Sequence, residues 1–333
     1  MHNINQLDTS IIIVNWNSGK YITNCINSIF KMIRNISYEI IVVDNNSTDD
    51  SVIEIKRLFP GIKLLVNSTN LGFSEANNIG ARIANSSCLL FLNPDTIIKD
   101  GAVDRLYRCI NEYDACGPKL IGENGKIQFM CARSFPSIVG TIYNMFLLER
   151  LFPNSRIFGK NLLSYWDHFN SREVDCLSGA CIMIRKEVFE RISGFDESYL
   201  FYGEDLDLCY RVKKNGGNIY YCSEAEIIHY GKGSTERSNN NGILYEVVLF
   251  YSTKHYFRLN GGVIKYIEFN MIAAMASLFR IIMILLIGPL LKFSERTEYS
   301  KSNIKKYWWI FLLATGLIKF DSFDKLFVNS NVK

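Results

Sequence analysis

Short unbroken apolar runs alternate with helical periodicities through the first third of the chain. Ser10-Ile11-Ile12-Ile13-Val14 is closed by Asn15-Trp16-Asn17-Ser18-Gly19, which predicts a strand and a polar turn. Tyr21, Ile22, Cys25, Ile26, Ile29 and Phe30 recur at helical spacing. A second strand, Glu39-Ile40-Ile41-Val42-Val43, runs into Asp44-Asn45-Asn46-Ser47-Thr48-Asp49, which offers several N-caps for a helix through Ile53 and Leu58. Ile62 to Val66 gives a third strand, and Asn70-Leu71-Gly72-Phe73 turns the chain into a helix carrying Asn77, Asn78 and Gly80. Leu89-Leu90-Phe91-Leu92 is apolar at every position, as in a strand covered on both faces. Pro94 has no N–H to donate, so it ends that ladder and leaves Asp95 just beyond the strand.

Strands alternating with helices to about Cys116 imply an α/β fold, a mostly parallel sheet flanked by helices. Each strand's carboxyl end carries a polar cluster: Asn15 and Asn17, then Asp44 and Asn46, then Asn70, then Asn93 and Asp95. Open α/β sheets bind ligands along that edge. The edge lacks both the Gly-x-Gly-x-x-Gly of dinucleotide folds and a P-loop. Asp44 can still hydrogen-bond a ribose or a base edge. Asp95, fixed on a rigid turn, suits a hard cation carrying phosphate oxygens.

Beyond Pro118 the pattern loosens. Gly122 to Ser171 mixes aromatic, basic and turn residues with little periodicity, as in a functional loop that covers an acceptor. Val174 to Ile184 is strand material interrupted at Ser178-Gly179, where glycine allows a ligand close to the backbone. Lys186 to Ile192 predicts a short helix. Phe201-Tyr202-Gly203-Glu204-Asp205-Leu206-Asp207 leads into another, with Glu204 and Asp205 in its first turn. Such an acidic pair caps helices, and at a dry cleft wall it also takes protons from hydroxyls. Ile219 to Tyr221 is a further strand. His229 then precedes a glycine-rich loop bearing Lys232, from which a histidine can reach the metal of Asp95 and a lysine can reach phosphate.

A chain of 333 residues predicts two domains, or one domain with an extension. The nine cysteines form no Cys-x-x-Cys pair and so predict reduced, mostly buried thiols in a cytosolic compartment. The net charge is only +4, and most later basic residues follow Lys254, which favours a membrane surface and no nucleic acid.

Seven of these stretches, in order, resemble family 2 glycosyltransferases and, within them, the bacterial rhamnosyltransferase-like branch. They are Ile12 to Asn17, Val42 to Asp49, Asn70 to Phe73 with Asn77-Asn78, Leu92 to Asp95, Leu177 to Ala180, Gly203 to Cys209, and His229. The resemblance covers roughly Ser10 to Ser234. It implies a GT-A fold and inverting transfer of a sugar from a nucleotide diphosphate donor to a saccharide or polyprenyl-linked acceptor, in cell-surface polysaccharide synthesis. The branch alone points to rhamnose. By resemblance, Asp44 would hold the nucleoside. Asn15, Asn17, Asn46, Gly72, Asn77, Asn93, Gly179 and Lys232 would line the donor site. Asp95, with His229, would coordinate a divalent metal, Mg or Mn, bridging the diphosphate. Asp205, assisted by Glu204, would be the base, with Asp207 and Asp175 the next candidates. Many GT-A enzymes carry two aspartates at the metal motif; Asn93 replaces the first, so the metal would be held mainly by the nucleotide. A sugar nucleotidyltransferase and a non-catalytic membrane-bound nucleotide-binding scaffold are the competing classes.

After Asn241 the composition shifts. Met271 to Leu291 is apolar except for Arg280, about the roughly 20 residues of a membrane span. A mid-span arginine costs at least ~2.5–3.5 kcal/mol. Tyr307 to Leu313 is a second apolar stretch between lysines, as in an interfacial helix. The expected division is a GT-A domain over 1–238 and a helical, membrane-associated region over 239–333, lying in or on the cytoplasmic face of a bacterial cell membrane.

Overall fold

A computed structural model describes residues 7–199, 202–231, 241–287 and 295–319. The first strands and helices follow the predicted alternation: β1 (Thr9–Asn15), α1 (Lys20–Met32), β2 (Tyr38–Asp44), α2 (Ser51–Leu58), β3 (Lys63–Val66), α3 (Gly72–Arg82) and β4 (Cys88–Leu92). After them come β5 (Thr96–Ile98), α4 (Ala102–Cys109), β6 (Ala115–Ile121), β7 (Ala132–Arg133), α5 (Ile138–Met145), α6 (Leu148–Leu151), β8 (Arg172–Glu173), β9 (Cys176–Leu177), β10 (Cys181–Arg185), α7 (Lys186–Arg191), α8 (Glu204–Lys214) and β11 (Ile219–His229). Three long helices complete the described chain: α9 (Asn241–Tyr256), α10 (Gly262–Ile287) and α11 (Glu295–Thr315).

The main sheet runs β3-β2-β1-β4-β10-β6-β11-β5, with β8 added beside β11. From β3 to β4 all pairings are parallel. β10 enters antiparallel between β4 and β6. β1 and β4 are buried at every residue, as their unbroken apolar runs require. Helix α1 turns Ile22, Cys25, Ile26 and Ile29 inward, the face its spacing predicted. Helix α3 lies so close to β1 that a Cβ on Gly80 would meet an Ile12 methyl at 2.6 Å, so this position has no room for a side chain. Eight of the nine cysteines are buried, Cys109 is half-buried, and all are free thiols.

Two elements differ from their sequence patterns. Beyond Pro94 the chain forms a further short strand that the pattern did not predict: β4 pairs with β1 and β10, whereas β5 pairs with β11. Asn93-Pro94-Asp95 is the crossing between them. β11 is one strand of 11 residues, of which the pattern predicted only Ile219 to Tyr221. Its register against β6 shifts between Cys222 and Glu226, and this irregularity breaks the alternation that marks a strand in sequence.

The chain packs as two units. One comprises Met1–Phe135, Leu162–Leu200 and Glu204–Glu236; the other comprises Pro136–Asn161, Phe201–Gly203 and Arg237–Lys333. The stretch expected to be an irregular acceptor loop is thus divided: Pro136–Asn161 carries α5 and α6 and packs with the C-terminal helices. Within that second unit, Arg280 Nε donates to the Met145 carbonyl and Nη2 to that of Asn144, both at 2.8 Å. These carbonyls end α5, where cations are favoured. Tyr307 lies under the guanidinium, 5.0 Å from it. The charge that spoiled an apolar span is therefore satisfied by protein.

Candidate active site

The first two strand ends are tied to each other. Asn15 Nδ2 donates to Asp44 Oδ1 (2.6 Å), Ser47 Oγ (3.1 Å) and Ser51 Oγ (2.8 Å). Asp44 Oδ2 accepts the Ser47 N–H at 3.0 Å. Neither Asn15 nor Asp44 has exposed surface, so both work from beneath the edge, fixing the 45–51 loop. Asn17, with left-handed backbone (φ 52°), accepts the N–H groups of Thr48 and Asp49. Asn45 donates to Gly72 O and accepts from Asn67, joining the second and third strand ends. Gly72 sits at φ +83°, the left-handed turn that starts α3. Asn46 is exposed on the loop surface. Asn77, expected to line the donor site, is instead buried and donates one turn back to Phe73 O. Its neighbour Asn78 clamps Phe195 through both amide atoms.

Asp95 and His229 meet because β5 and β11 pair antiparallel, with His229 opposite Thr96. His229 Nε2 lies 3.5 Å from Asp95 Oδ1. His229 Nδ1 faces Gln128 Oε1 at 2.8 Å, and Gln128 Nε2 donates to His229 O at the same distance. That reciprocal pair engages Nδ1 and turns Nε2 towards Asp95. A carboxylate oxygen and an imidazole nitrogen this close fit as neighbouring ligands of one divalent ion. Among the described residues no cluster of three metal-ligating side chains exists, and Asp95 with His229 is the pair described at this edge. Asn93 stands beside them, half-buried, and Lys232 lies outside the described residues.

The acidic pair opens α8. Asp205 Oδ1 accepts from Arg133 Nη2 at 3.0 Å and from the Leu206 N–H at 2.7 Å; Oδ2 accepts the Gly179 N–H at 3.0 Å. Both Glu204 and Asp205 are only 9% exposed. Burial, and then the adjacent Asp205 charge, push the Glu204 carboxyl up to about 8, so it is protonated at neutral pH. Gly179, expected to admit a ligand, admits the acidic pair instead: a Cβ there would lie 3.3 Å from Asp205 Cβ. Asp207 is spoken for by Arg211, at 2.6 Å one turn along, and that arginine also holds the Ile192 and Gly194 carbonyls. Asp175 accepts the Phe135 N–H at 3.3 Å.

Arg133 is the residue that sequence reasoning missed. It is delivered by the two-stranded β7–β9 ladder, in which it pairs with Cys176. Strand β9 leads into Ser178-Gly179-Ala180, and this turn joins the two halves of the site. Asn93 N–H donates to Ala180 O at 2.9 Å, while Gly179 N–H holds Asp205.

The family model for glycosyl transferase family 2 matches residues 10–193, and one described as the N-terminal domain of galactosyltransferase matches 163–232. The chain belongs to glycosyltransferase family 2. It is 30% identical over 230 residues to the low-salt glycan biosynthesis hexosyltransferase Agl10 of Haloferax volcanii, spanning 67% of each chain. It is 27% identical over 226 residues to the N-acetylglucosaminyl-diphospho-decaprenol L-rhamnosyltransferase of Mycobacterium tuberculosis, covering 60% of this chain and 68% of that one. Rhamnosyltransferase WbbL of Escherichia coli matches at 28% over 207 residues, covering 58% and 73%. The solved structure of GalNAc-T7 with UDP, GalNAc and Mn2+ shares the fold at a TM-score of 0.52 and 17% identity, over 79% of this chain and 53% of that one. The family 2 chain is thus a glycosyltransferase of GT-A fold, and the nucleotidyltransferase and scaffold readings fall.

Proposed function

We propose that the enzyme transfers a hexose, rhamnose first among candidates, from a nucleotide diphosphate to a saccharide carried on a polyprenyl lipid, with inversion. The observation that carries this reading is the pairing of Asp95–His229 with Glu204–Asp205 on either side of one short turn. One edge suits a leaving diphosphate and the other an attacking hydroxyl. The relatives named for rhamnosyl transfer, one of them onto a decaprenol-linked sugar, support the donor and acceptor classes. Cell-surface polysaccharide synthesis is the setting such an acceptor implies.

In this mechanism the 45–51 loop, braced by Asn15 and Asp44, cradles the nucleoside, with Asn46 at its surface. Asp95 and His229 would hold a divalent ion, Mg or Mn, which when bound would offset the charge on the departing diphosphate. Asp205 accepts the proton of the acceptor hydroxyl as it attacks. Arg133 and the Gly179 N–H keep that carboxylate aimed while substrates exchange. Neutral Glu204 avoids a second negative charge in a dry site. A single displacement at the sugar carbon requires no protein nucleophile.

The tract from Tyr245 to Leu286 is long and apolar enough to cross a bilayer. We assign the C-terminal helices to the inner face of the cytoplasmic membrane, where a polyprenyl acceptor resides. The test is incubation with a panel of nucleotide sugars and a polyprenyl-diphosphate saccharide, scoring release of nucleotide diphosphate and the anomeric configuration of the product. A retained anomeric configuration, or release of nucleotide monophosphate, would sink the reading.

A further inference from the structure

The insertion Pro136–Asn161 interrupts the catalytic unit in sequence yet belongs to the unit of α9–α11. It exposes several large apolar side chains: Leu151 is 66% exposed, Phe152 52% and Ile157 65%, with Val139, Phe146 and Leu147 also exposed. Exposed cations are interleaved with them at Arg150, Arg156 and Lys160. The insertion's single acid, Glu149, is buried and accepts from Asn144 Nδ2 at 2.9 Å, so the insertion itself exposes no carboxylate beside those charges. The insertion is also packed internally. Phe158 is packed by Tyr143 and Phe152, and Ser137 Oγ caps α5 by accepting the Gly140 N–H.

Arg280 and Phe279 fasten this face to α10. The guanidinium takes the last carbonyls of α5, and the Phe279 ring meets Phe146 at 5.6 Å. Helix α10 itself exposes Met271, Met275, Ile282 and Leu285. Exposed apolar side chains therefore lie on two elements joined by Arg280 and Phe279.

We propose that Pro136–Asn161 is a membrane-docking element that seats in the headgroup region of an anionic bilayer beside α10. Its apolar side chains enter the acyl boundary, and Arg150, Arg156 and Lys160 meet lipid phosphates. Amphipathic segments with interleaved cations bind anionic surfaces in this way, and each cation is worth roughly fivefold in affinity. The occupant is a lipid surface rather than a protein, because exposed aromatic and aliphatic side chains ringed by one sign of charge complement a bilayer's layered chemistry. This inference rests on the membrane reading of the C-terminal helices and extends it to a segment nearly a hundred residues upstream.

The experiment uses the full chain in a Cys109→Ser background, since the other native thiols are buried. Single variants Leu151→Cys, Ile157→Cys, Met275→Cys and Glu112→Cys carry a bimane label in vesicles of phosphatidylcholine with phosphatidylglycerol. Quenching by acyl-brominated lipid at 151, 157 and 275, with none at the exposed Glu112 position, is the expected result. Replacing Arg150, Arg156 and Lys160 by Gln should cut quenching at 151 and 157 while leaving 275 unchanged. Quenching at 275 alone would overturn the docking element and leave the membrane reading intact. Quenching at none of the sites would remove both. Label-to-label quenching between copies, without lipid quenching, would make the face a self-association surface and overturn the proposal.

Discussion

Arg133 Nη2 lies 3.0 Å from Asp205 Oδ1, and both side chains are largely withdrawn from solvent. The pair joins a strand of two residues to the first turn of α8, across 72 positions of sequence. Burial alone would lower the arginine's affinity for its proton, but the Asp205 charge reverses that and raises it.

Breaking one side of a buried ion pair costs about 3–5 kcal/mol. Arg133→Ala should therefore lower Tm and reduce turnover together. The informative measurement is a double-mutant cycle. In an Asp205→Asn background Arg133→Ala should cost much less than in the wild type, for both stability and kcat. Additive losses would mean that Arg133 acts elsewhere.

Asp205→Asn keeps the size and most hydrogen bonds of the side chain, so fold and donor affinity should persist. Loss of the proton acceptor should lower kcat by ~10²–10⁴-fold. Donor titration, melting and transfer rate on one preparation separate base from architecture. Near wild-type transfer would remove Asp205 from the chemistry.

Glu204 gives a pH signature. Its carboxyl is raised from the ordinary 4.5 to about 8 in the folded chain, so the unfolded chain releases this proton first. Between those values folding stability should fall as pH rises, and it should level off above the folded value. Glu204→Gln should flatten that slope and raise Tm at pH 8 relative to wild type. The wild-type kcat/KM should decline on the alkaline limb as Glu204 ionises, and Glu204→Gln should lose that limb. An unchanged profile in the variant would place the ionisation elsewhere.

The metal edge is tested by binding as well as by rate. Asp95→Ala should abolish Mn-dependent binding of nucleotide diphosphate in calorimetry. Gln128→Leu frees the imidazole to rotate and choose its tautomer, and should weaken metal affinity by ~10–100-fold. Full transfer in chelator would exclude the ion from the reaction.

Truncation after Ser238 removes α9–α11 and leaves α5 without the cation at its last carbonyls. That chain should aggregate, whereas the same truncation with Pro136–Asn161 replaced by a short Gly/Ser linker should be soluble. Sedimentation of the two proteins decides it.

The parallel half of the sheet was legible because its central strands β1 and β4 are buried at every residue and their runs are unbroken, as at Leu89 to Leu92. Asp95 was legible because Pro94 marks the end of a ladder. His229 was legible as a candidate, yet its meeting with Asp95 depends on β5 pairing with β11, a contact that no local pattern encodes. Asp44 and Asn77 are polar residues whose partners lie inside the fold, and sequence alone does not distinguish a buried hydrogen bond from an exposed one. Arg133 was hidden because a two-residue strand has no periodicity. Arg280 read as a defect because its acceptors, the carbonyls of Asn144 and Met145, lie 136 and 135 residues away.

The turn Ser178-Gly179-Ala180 has no slack. Its middle amide holds Asp205 on one side, and the next carbonyl holds Asn93 on the other. An inserted residue would leave every reactive group intact while altering the span between them. Length drift across a lineage should therefore spare these three positions. Changes of donor sugar would then arise in the side chains around this turn at constant gauge, so the bond being exchanged stays registered while the ring around it varies.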